Sequence, residues 1–173
     1  MNNVFQINII RIVLIFIAQV LIFKQITFSL QGFAYIHFII YPMAVLLMPV
    51  KTSRSILMGL GFLLGIALDL FYDSPGIHAA SLVFTAYIRN IIIAFLEPFD
   101  GYNIDDVPTL KRMGTGWFVS YVSVALIIHI FVYFSIEAFS FVFFFEIFLN
   151  TIFSFIVSLI LVMVLQFILR TKY

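Results

Sequence analysis

The chain contains no cysteine and few charged residues, and each of these features excludes certain classes of function. Without cysteine there are no disulfides, thiolate metal sites or cysteine nucleophiles. Only 10% of the 173 residues are charged, the net charge is +1, and no basic run is long enough for nucleic-acid binding. The serines and glycines form no G-x-S-x-G elbow, P-loop or dinucleotide-binding fingerprint. Nucleic-acid partners and thiol chemistry are therefore excluded.

Histidine is also scarce, and its three copies are scattered. His37, His78 and His129 fall on different predicted helices, and none has a second histidine four residues away. Closed metal sites normally take several convergent ligands. We therefore predict no metal, no cofactor and no catalytic histidine.

Apolar residues, by contrast, make up 64% of the chain, with 23 phenylalanines and a mean hydropathy of +1.20. A soluble domain of this length has too little interior to hide so much apolar surface. The composition predicts an all-α integral membrane protein. Because no small-x-small cleavage site follows the first apolar run, that run is predicted to be a retained helix and not a signal peptide.

A membrane-spanning helix needs about 20 apolar residues. On that length the chain is one domain, 1–173, with six spans near residues 7–23, 33–50, 55–72, 77–96, 116–136 and 141–168. Pro42 is expected to kink the second span, and the length of the sixth predicts that it tilts or protrudes. The largest loop, residues 97–115, is predicted to be an ordered turn and leaves no room for a soluble catalytic domain.

Lysine and arginine near the span ends predict the orientation, because they concentrate on the cytoplasmic side. One side carries nearly all of them: Arg11, Lys51, Arg54, Lys111, Arg112, Arg170 and Lys172. The other side carries Lys24, with Asp73 and Glu137 in its short connections. Both termini are therefore predicted to be cytoplasmic.

Polar residues inside the spans fall into three stripes with a spacing of four, which places each stripe on one helix face. The third span carries Gly61, Gly65, Asp69 and Asp73, the fourth carries Ser81, Thr85 and Arg89, and the sixth carries Glu146, Asn150, Ser154 and Ser158. Ionisable groups at a helix centre cost about 2.5–3.5 kcal/mol on insertion scales, so each needs a reason. We expect the three stripes to face one another.

Each stripe leaves alternatives open. Gly61 and Gly65 indicate close helix packing, either within the chain or against another protein. Asp69 has either an interior role or an interfacial one, reaching headgroup water from the last turn of its helix. Arg89 snorkels to the interface, binds polar groups of neighbouring helices in the bundle, or forms an ion pair with Glu146 or Asp69.

One segment resembles a known family. It comprises Gly65-Ile66-Ala67-Leu68-Asp69-Leu70, then Ser74-Pro75-Gly76-Ile77-His78-Ala79-Ala80, and Ala86-Tyr87-Ile88. It is similar to the rod shape-determining protein MreD family, in which a glycine-rich third helix ends in an Asp-containing pair before a short outer turn. Pro49, before the 51–54 loop, matches the end of the family's second helix.

The resemblance implies a non-enzymatic subunit of the bacterial inner (cytoplasmic) membrane that supports peptidoglycan synthesis and cell shape. Its expected partners are membrane lipids and four proteins: MreC, MreB, the RodA glycosyltransferase and a class B penicillin-binding transpeptidase. Gly61, Gly65, Asp69 and Gly76 become structural or partner-facing residues, and residues 69–78 are expected to contact a partner near the periplasmic surface. Residues 97–115 and the 51–54 loop are expected to contact cytoplasmic components.

A second function follows from a similarity of fold. The family is similar to the substrate-binding subunits of energy-coupling-factor vitamin transporters. In such a protein the polar stripes would line a pocket, and the partner would be an ATPase module. A lipid-modifying enzyme is the third alternative, but no nucleophile and base converge in the sequence.

Overall fold

The computed structural model describes residues 2–29, 36–103 and 106–168. The regular elements in these residues are all helical, with no strand among them. They are α1 (Asn2–Ala18), a π-helical turn (Gln19–Phe23), α2 (Lys24–Ser29), α3 (Met43–Leu46), α4 (Arg54–Tyr72), α5 (Ile77–Phe95), α6 (Leu110–Met113), α7 (Thr115–Ala138), a 3-10 turn (Phe141–Phe143) and α8 (Phe144–Ile168).

Five stretches of the described chain are long and apolar enough to cross a membrane. They are Asn8–Thr27, Arg54–Tyr72, Ile77–Phe95, Thr115–Ala138 and Phe144–Phe167. These stretches coincide with five of the six predicted spans, so the prediction of an all-helical chain with several membrane-length helices is confirmed. In the first stretch, the π-helical turn joins α1 to α2 without a break.

The second predicted span does not form a continuous helix in its described part, and this corrects the sequence-based expectation. Residues 36–40 have no regular secondary structure, and the only helix within residues 36–50 is the single turn α3. Pro42 occupies the N-cap of α3 and does not kink a longer helix. Because proline lacks an N–H and disfavours helical geometry in the preceding residue, it fits a helix start better than a helix interior.

The long helices form antiparallel neighbours in chain order: α4 packs against α5, α5 against α7, and α7 against α8. The turns 73–76 and 139–143 lie at one end of this bundle, which we call the hairpin end. The connection 47–53 and the described residues of the next one, 96–103 and 106–114, lie at the opposite end, the loop end. Half of the α5 span is buried, against 17% of the first span, so α5 is central and the first helix is peripheral.

Residues 36–50, which we call the non-helical segment although they include the single turn α3, run through the bundle interior. Its residues from Ile39 to Leu47 include eight buried apolar side chains: Ile39, Ile40, Tyr41, Met43, Ala44, Val45, Leu46 and Leu47. Irregular backbone at membrane depth is tolerated where protein, and not lipid, surrounds it. The core is therefore built around this segment.

Candidate functional site

Two glycines of α4, Gly61 and Gly65, face α5 of the same chain. A Cβ atom added to Gly65 would lie 2.3 Å from the Cα of Ala79, and one added to Gly61 would lie 3.1 Å from the carbonyl oxygen of Leu82. Only glycine allows backbones this close, as at the small-residue interfaces of membrane helices. The sequence alone allowed this glycine face to pack either within the chain or against another protein. In the structure it packs against α5 of the same chain.

Asp69 lies across the hairpin turn from the first residues of α5 and is 7% exposed. Its Oδ1 accepts the backbone N–H of His78 at 2.9 Å, and its Oδ2 accepts that of Ala79 at 3.1 Å. The N-cap residue, Gly76, has a φ of +87° and no side chain with which to cap the helix. Asp69 therefore supplies, from α4, the negative charge that a helix N-terminus attracts.

His78 joins the same carboxylate through its ring. Its Nδ1 lies 2.9 Å from Asp69 Oδ1 and 2.9 Å from the hydroxyl of Ser74, which itself donates to Asp69. Since an ionised carboxylate only accepts, Nδ1 carries the proton. The rings of Tyr41, Tyr72 and Tyr133 surround His78, with centroids 4.8–5.3 Å from its own.

This cluster is not a Ser-His-Asp catalytic triad. In a triad the carboxylate and the nucleophile contact opposite ring nitrogens. Here Asp69 and Ser74 both contact Nδ1 of His78, so the ring does not place its second nitrogen against Ser74, whose hydroxyl donates to Asp69 instead. Across the described residues, no group of three His, Cys, Asp or Glu side chains is placed to hold a metal.

His129 connects α7 to α5 and to the non-helical segment. The hydroxyl of Thr85 donates to the carbonyl of Ser81, so His129 Nδ1, at 2.7 Å from that hydroxyl, is the donor in their hydrogen bond. His129 Nε2 then accepts from the Tyr41 hydroxyl at 2.9 Å. The hydrogen bonds of this fully buried histidine hold three elements together.

Arg89 is fully buried and binds backbone carbonyls. Its Nε donates to Leu46 at 3.4 Å, and its Nη2 donates to Met48 and, at 3.2 Å, to Pro49. Leu46 ends α3, where the helix dipole favours a cation. Of the alternatives for Arg89, its contacts fit the polar bond within the helix bundle and not snorkelling, because the side chain is fully buried. The expected ion pair with Glu146 or Asp69 is wrong for the described residues, in which the acid–base contacts include His78–Asp69 and Arg112–Asp106.

Side chains from the surrounding helices satisfy the amides of the non-helical segment. The N–H groups of His37 and Ile39 donate to the hydroxyls of Ser154 and Ser158, each at 2.9 Å. Gln19, at the π-helical turn, accepts from the N–H of Ile40 and donates to the carbonyl of Phe38. The serine stripe of α8 thus replaces hydrogen bonds that a helix would make within itself.

The remaining predicted site residues lie at the hairpin end. Asp73, at the C-cap of α4 with a φ of 51°, is exposed, as are Pro75 and Gly76. Glu146 and Asn150 do not approach the α4 and α5 stripes. They line a recess of about 210 Å³ between α7 and α8, together with Glu137.

Sequence reasoning missed Gln19, Tyr41 and Tyr133. Each is a polar group inside a strongly apolar run, and Tyr41 also precedes Pro42, which ends a helical pattern. These two features could have drawn attention to the three residues. They do not show which groups of the chain each residue contacts, because a tyrosine in a membrane protein usually belongs to an interfacial belt.

An ion pair orders the loop end. Asp106 Oδ1 accepts from Arg112 Nε at 2.9 Å, and its Oδ2 accepts the N–H of Asn103 at 2.8 Å. Burial alone would raise the pKa of Asp106, but these hydrogen bonds and the charge of Arg112 outweigh it and lower that pKa. The carbonyl of Asp106 also accepts the N–H of Val50, so the loop is tied to the end of the non-helical segment.

Comparison of the chain with protein-family models, with curated proteins and with solved structures gives no match. Assignment of a function therefore depends on the residues themselves and on the geometry described above.

Proposed function

We propose that this chain is a non-enzymatic scaffold subunit of the bacterial cell-elongation machinery, in the inner membrane. The observation that carries the proposal is that residues of the polar stripes form hydrogen bonds to backbone groups of this same chain. Asp69 caps α5, Arg89 caps α3, and the serines of α8 bind the amides of residues 37 and 39. Groups committed in this way are not available to a substrate, so the chain acts through its surfaces.

The family resemblance supports this proposal. The resembling residues form the α4–α5 hairpin, where Gly65 contacts Ala79 and Asp69 binds the start of α5. Gly65, Asp69, His78 and Ala79 of the resembling segment thus contact one another in one structural unit. The family's expected partners, an MreC-type anchor, MreB-type filaments and the RodA and transpeptidase pair, are carried over as part of the proposal.

The proposed topology has six crossings with both termini in the cytoplasm. The second crossing would be made by the non-helical segment, residues 36–50, in which α3 is the one helical turn. In support, that segment contacts α8 at Ser154 and reaches the loop end where Val50 binds Asp106. The basic residues of the loop end, Lys51, Arg54 and Lys111, favour a cytoplasmic location for that end.

Only some of residues 69–78, which the sequence predicted to contact a partner, are exposed at the hairpin end. Asp69 and His78 are buried and bound within the chain, so they hold the turn in shape and do not meet a partner. The exposed residues Asp73, Pro75 and Gly76 are the ones available for contact.

A substrate-binding subunit of a transporter is the second candidate, and one observation favours it. Broken helices near the midplane mark the binding sites of many transporters, and residues 36–42 interrupt a crossing in that way. That reading predicts a specific small-molecule ligand and a partner ATPase module, whereas the scaffold predicts neither.

Affinity purification of the tagged chain from gently solubilised native membranes separates the two. Recovery of the MreC-type anchor with the wall-synthesis pair, together with loss of rod shape on depletion, is the expected result. Recovery of a coupling membrane protein with paired ATPases, and unchanged cell shape, would replace the scaffold with the transporter subunit.

A further inference from the structure

A recess opens at the hairpin end between α7 and α8, away from the buried polar groups. It has a volume of about 210 Å³. Its walls are apolar, from Phe134, Phe143 and Ile147, and its polar lining is Glu137, Glu146 and Asn150. Two carboxylates from different helices thus face one small, mostly apolar space.

Both side chains are exposed, and neither has a counter-charge within the described part of the chain, whose salt bridges involve Asp69 and Asp106; Glu146 also lies in the first turn of α8. The contrast with those two acids is informative, because each of them is bound by amides and by a cationic or histidine side chain. A carboxylate beside apolar walls at a membrane boundary is stabilised when a cation joins it. Two of them in one recess repel each other and strengthen the attraction for a positive charge.

We propose that this recess receives a lysine or arginine side chain from the transmembrane helix of a partner protein. The inference rests on the proposed scaffold function and names the surface through which the scaffold would act. The cationic head would lie between Glu137 and Glu146, while the alkyl stem would lie against Phe134 and Phe143, as long basic side chains do beside apolar surface.

The size of the recess favours a side chain over a vitamin-like ligand. Small-molecule pockets usually measure about 300–1,000 Å³, so 210 Å³ is small for such a ligand but sufficient for the end of one basic residue. The charge favours a protein over a zwitterionic lipid, because the lipid's phosphate would enter beside two carboxylates. Phe139, Val142 and Phe145, at 92%, 86% and 70% exposed, extend an apolar surface beside the recess on which a helix can pack.

Photo-crosslinking in native membranes tests this proposal. The crosslinker p-benzoylphenylalanine is placed at Phe143, and at Phe62, which is 50% exposed on α4, as the control position. We expect Phe143 to crosslink to one membrane protein. The double substitution Glu137→Gln, Glu146→Gln should lower that yield about tenfold, whereas Glu97→Gln, at the loop end, should leave it unchanged.

A charge swap completes the test. Glu146→Lys should abolish the product, and changing the partner's basic residue to glutamate should restore it. An unchanged yield in the double variant, a product containing only lipid, a product containing a second copy of this chain, or no product would each overturn the proposal. Equal thermal unfolding of all variants in detergent establishes that a lost product reflects lost binding.

The two proposals fail in different ways. If the native chain recovers the elongation proteins but the Phe143 product does not depend on charge, the recess proposal fails alone. If the product depends on charge but the captured helix belongs to an unrelated membrane protein, the recess proposal stands and the cell-elongation function fails.

Discussion

Replacing Gly65 by alanine tests the closest helix contact in the bundle. The added Cβ would lie 2.3 Å from Ala79 Cα and 2.6 Å from Ala79 N. Carbon atoms in contact prefer about 3.5–4.0 Å, so α4 and α5 must separate by more than about 1 Å. Backbone atoms on both sides leave no flexible side chain to absorb this change. The hairpin itself has to open.

Opening the hairpin also breaks the cap on α5. The bond from Ala79 N–H to Asp69 is 3.1 Å long, and a separation of about 1 Å takes it beyond hydrogen-bonding distance. Overpacking costs about 1–3 kcal/mol, and a lost hydrogen bond to a charged group costs about 1.5–3 kcal/mol. We therefore expect Gly65→Ala to lower the free energy of unfolding by about 3–5 kcal/mol, or the melting temperature by roughly 6–20 °C.

Two other glycines of α4 provide the controls. Gly61→Ala meets Leu82 O at 3.1 Å and should cost less, about 1 kcal/mol. Gly59 has no atom within 4 Å of an added Cβ, so Gly59→Ala should leave stability unchanged or slightly raised. The measurement is thermal unfolding of the purified chain in detergent, followed by size-exclusion chromatography. Equal melting temperatures for the variants at 59 and 65 would refute the close α4–α5 contact.

Three further predictions concern other parts of the fold. Arg89→Met removes the donor to three backbone carbonyls and should destabilise the chain by about 3 kcal/mol or more, measured as loss of folded protein in membranes; normal levels would contradict the role of Arg89 in binding these carbonyls. Ser158→Ala leaves a buried amide without its acceptor, so the melting temperature should fall, with Ser158→Thr as the control that keeps the hydroxyl. The low pKa of Asp106 means that its contribution to loop stability is complete above its ordinary value of 3.8 and is lost as the pH falls through the lower folded value. The emission of Trp117, the one tryptophan in the chain, should therefore change only under acid conditions, and Arg112→Gln should move that change to higher pH; an unaltered profile would show that the ion pair does not order the loop.

Hydropathy was sufficient to predict the five long helices, because a continuous apolar run of about 20 residues has few other outcomes in lipid. It failed at residues 36–50, whose composition is equally apolar. Hydropathy reports that a segment is removed from water but not whether lipid or protein surrounds it. What distinguishes this segment is the set of hydroxyl and amide side chains on other helices, Gln19, Ser154 and Ser158, that bind its backbone. That set becomes recognisable only when the helices are assembled.

At the candidate site, too, the sequence predicted some features and not others. The spacing of Gly61, Gly65 and Asp69 was sufficient to predict a shared helix face, since helical geometry fixes it. Their partner was not predictable, because the α4–α5 turn must bring Ala79 opposite Gly65 before a contact exists. For Arg89, pairing with an acid was a reasonable expectation, but the sequence contains no sign that a short helix would end beside it with free carbonyls.

The two buried ionisable side chains of the bundle interior, Asp69 and Arg89, both bind backbone groups, and this limits the functions that they can have. Asp69 binds the first amides of α5, and Arg89 binds the carbonyls of Leu46, Met48 and Pro49 at and beyond the end of α3. Both groups are therefore bound mainly by backbone N–H or C=O groups, and removing either side chain would leave several of these groups unsatisfied. Charges held in this way suit a rigid framework better than a proton or ion pathway, in which a group must exchange partners. The carboxylates of Glu137 and Glu146 differ because both are exposed and line a recess, although Glu146 lies in the first turn of α8. Together with the exposed Asp73 of the hairpin end, they remain available to another molecule.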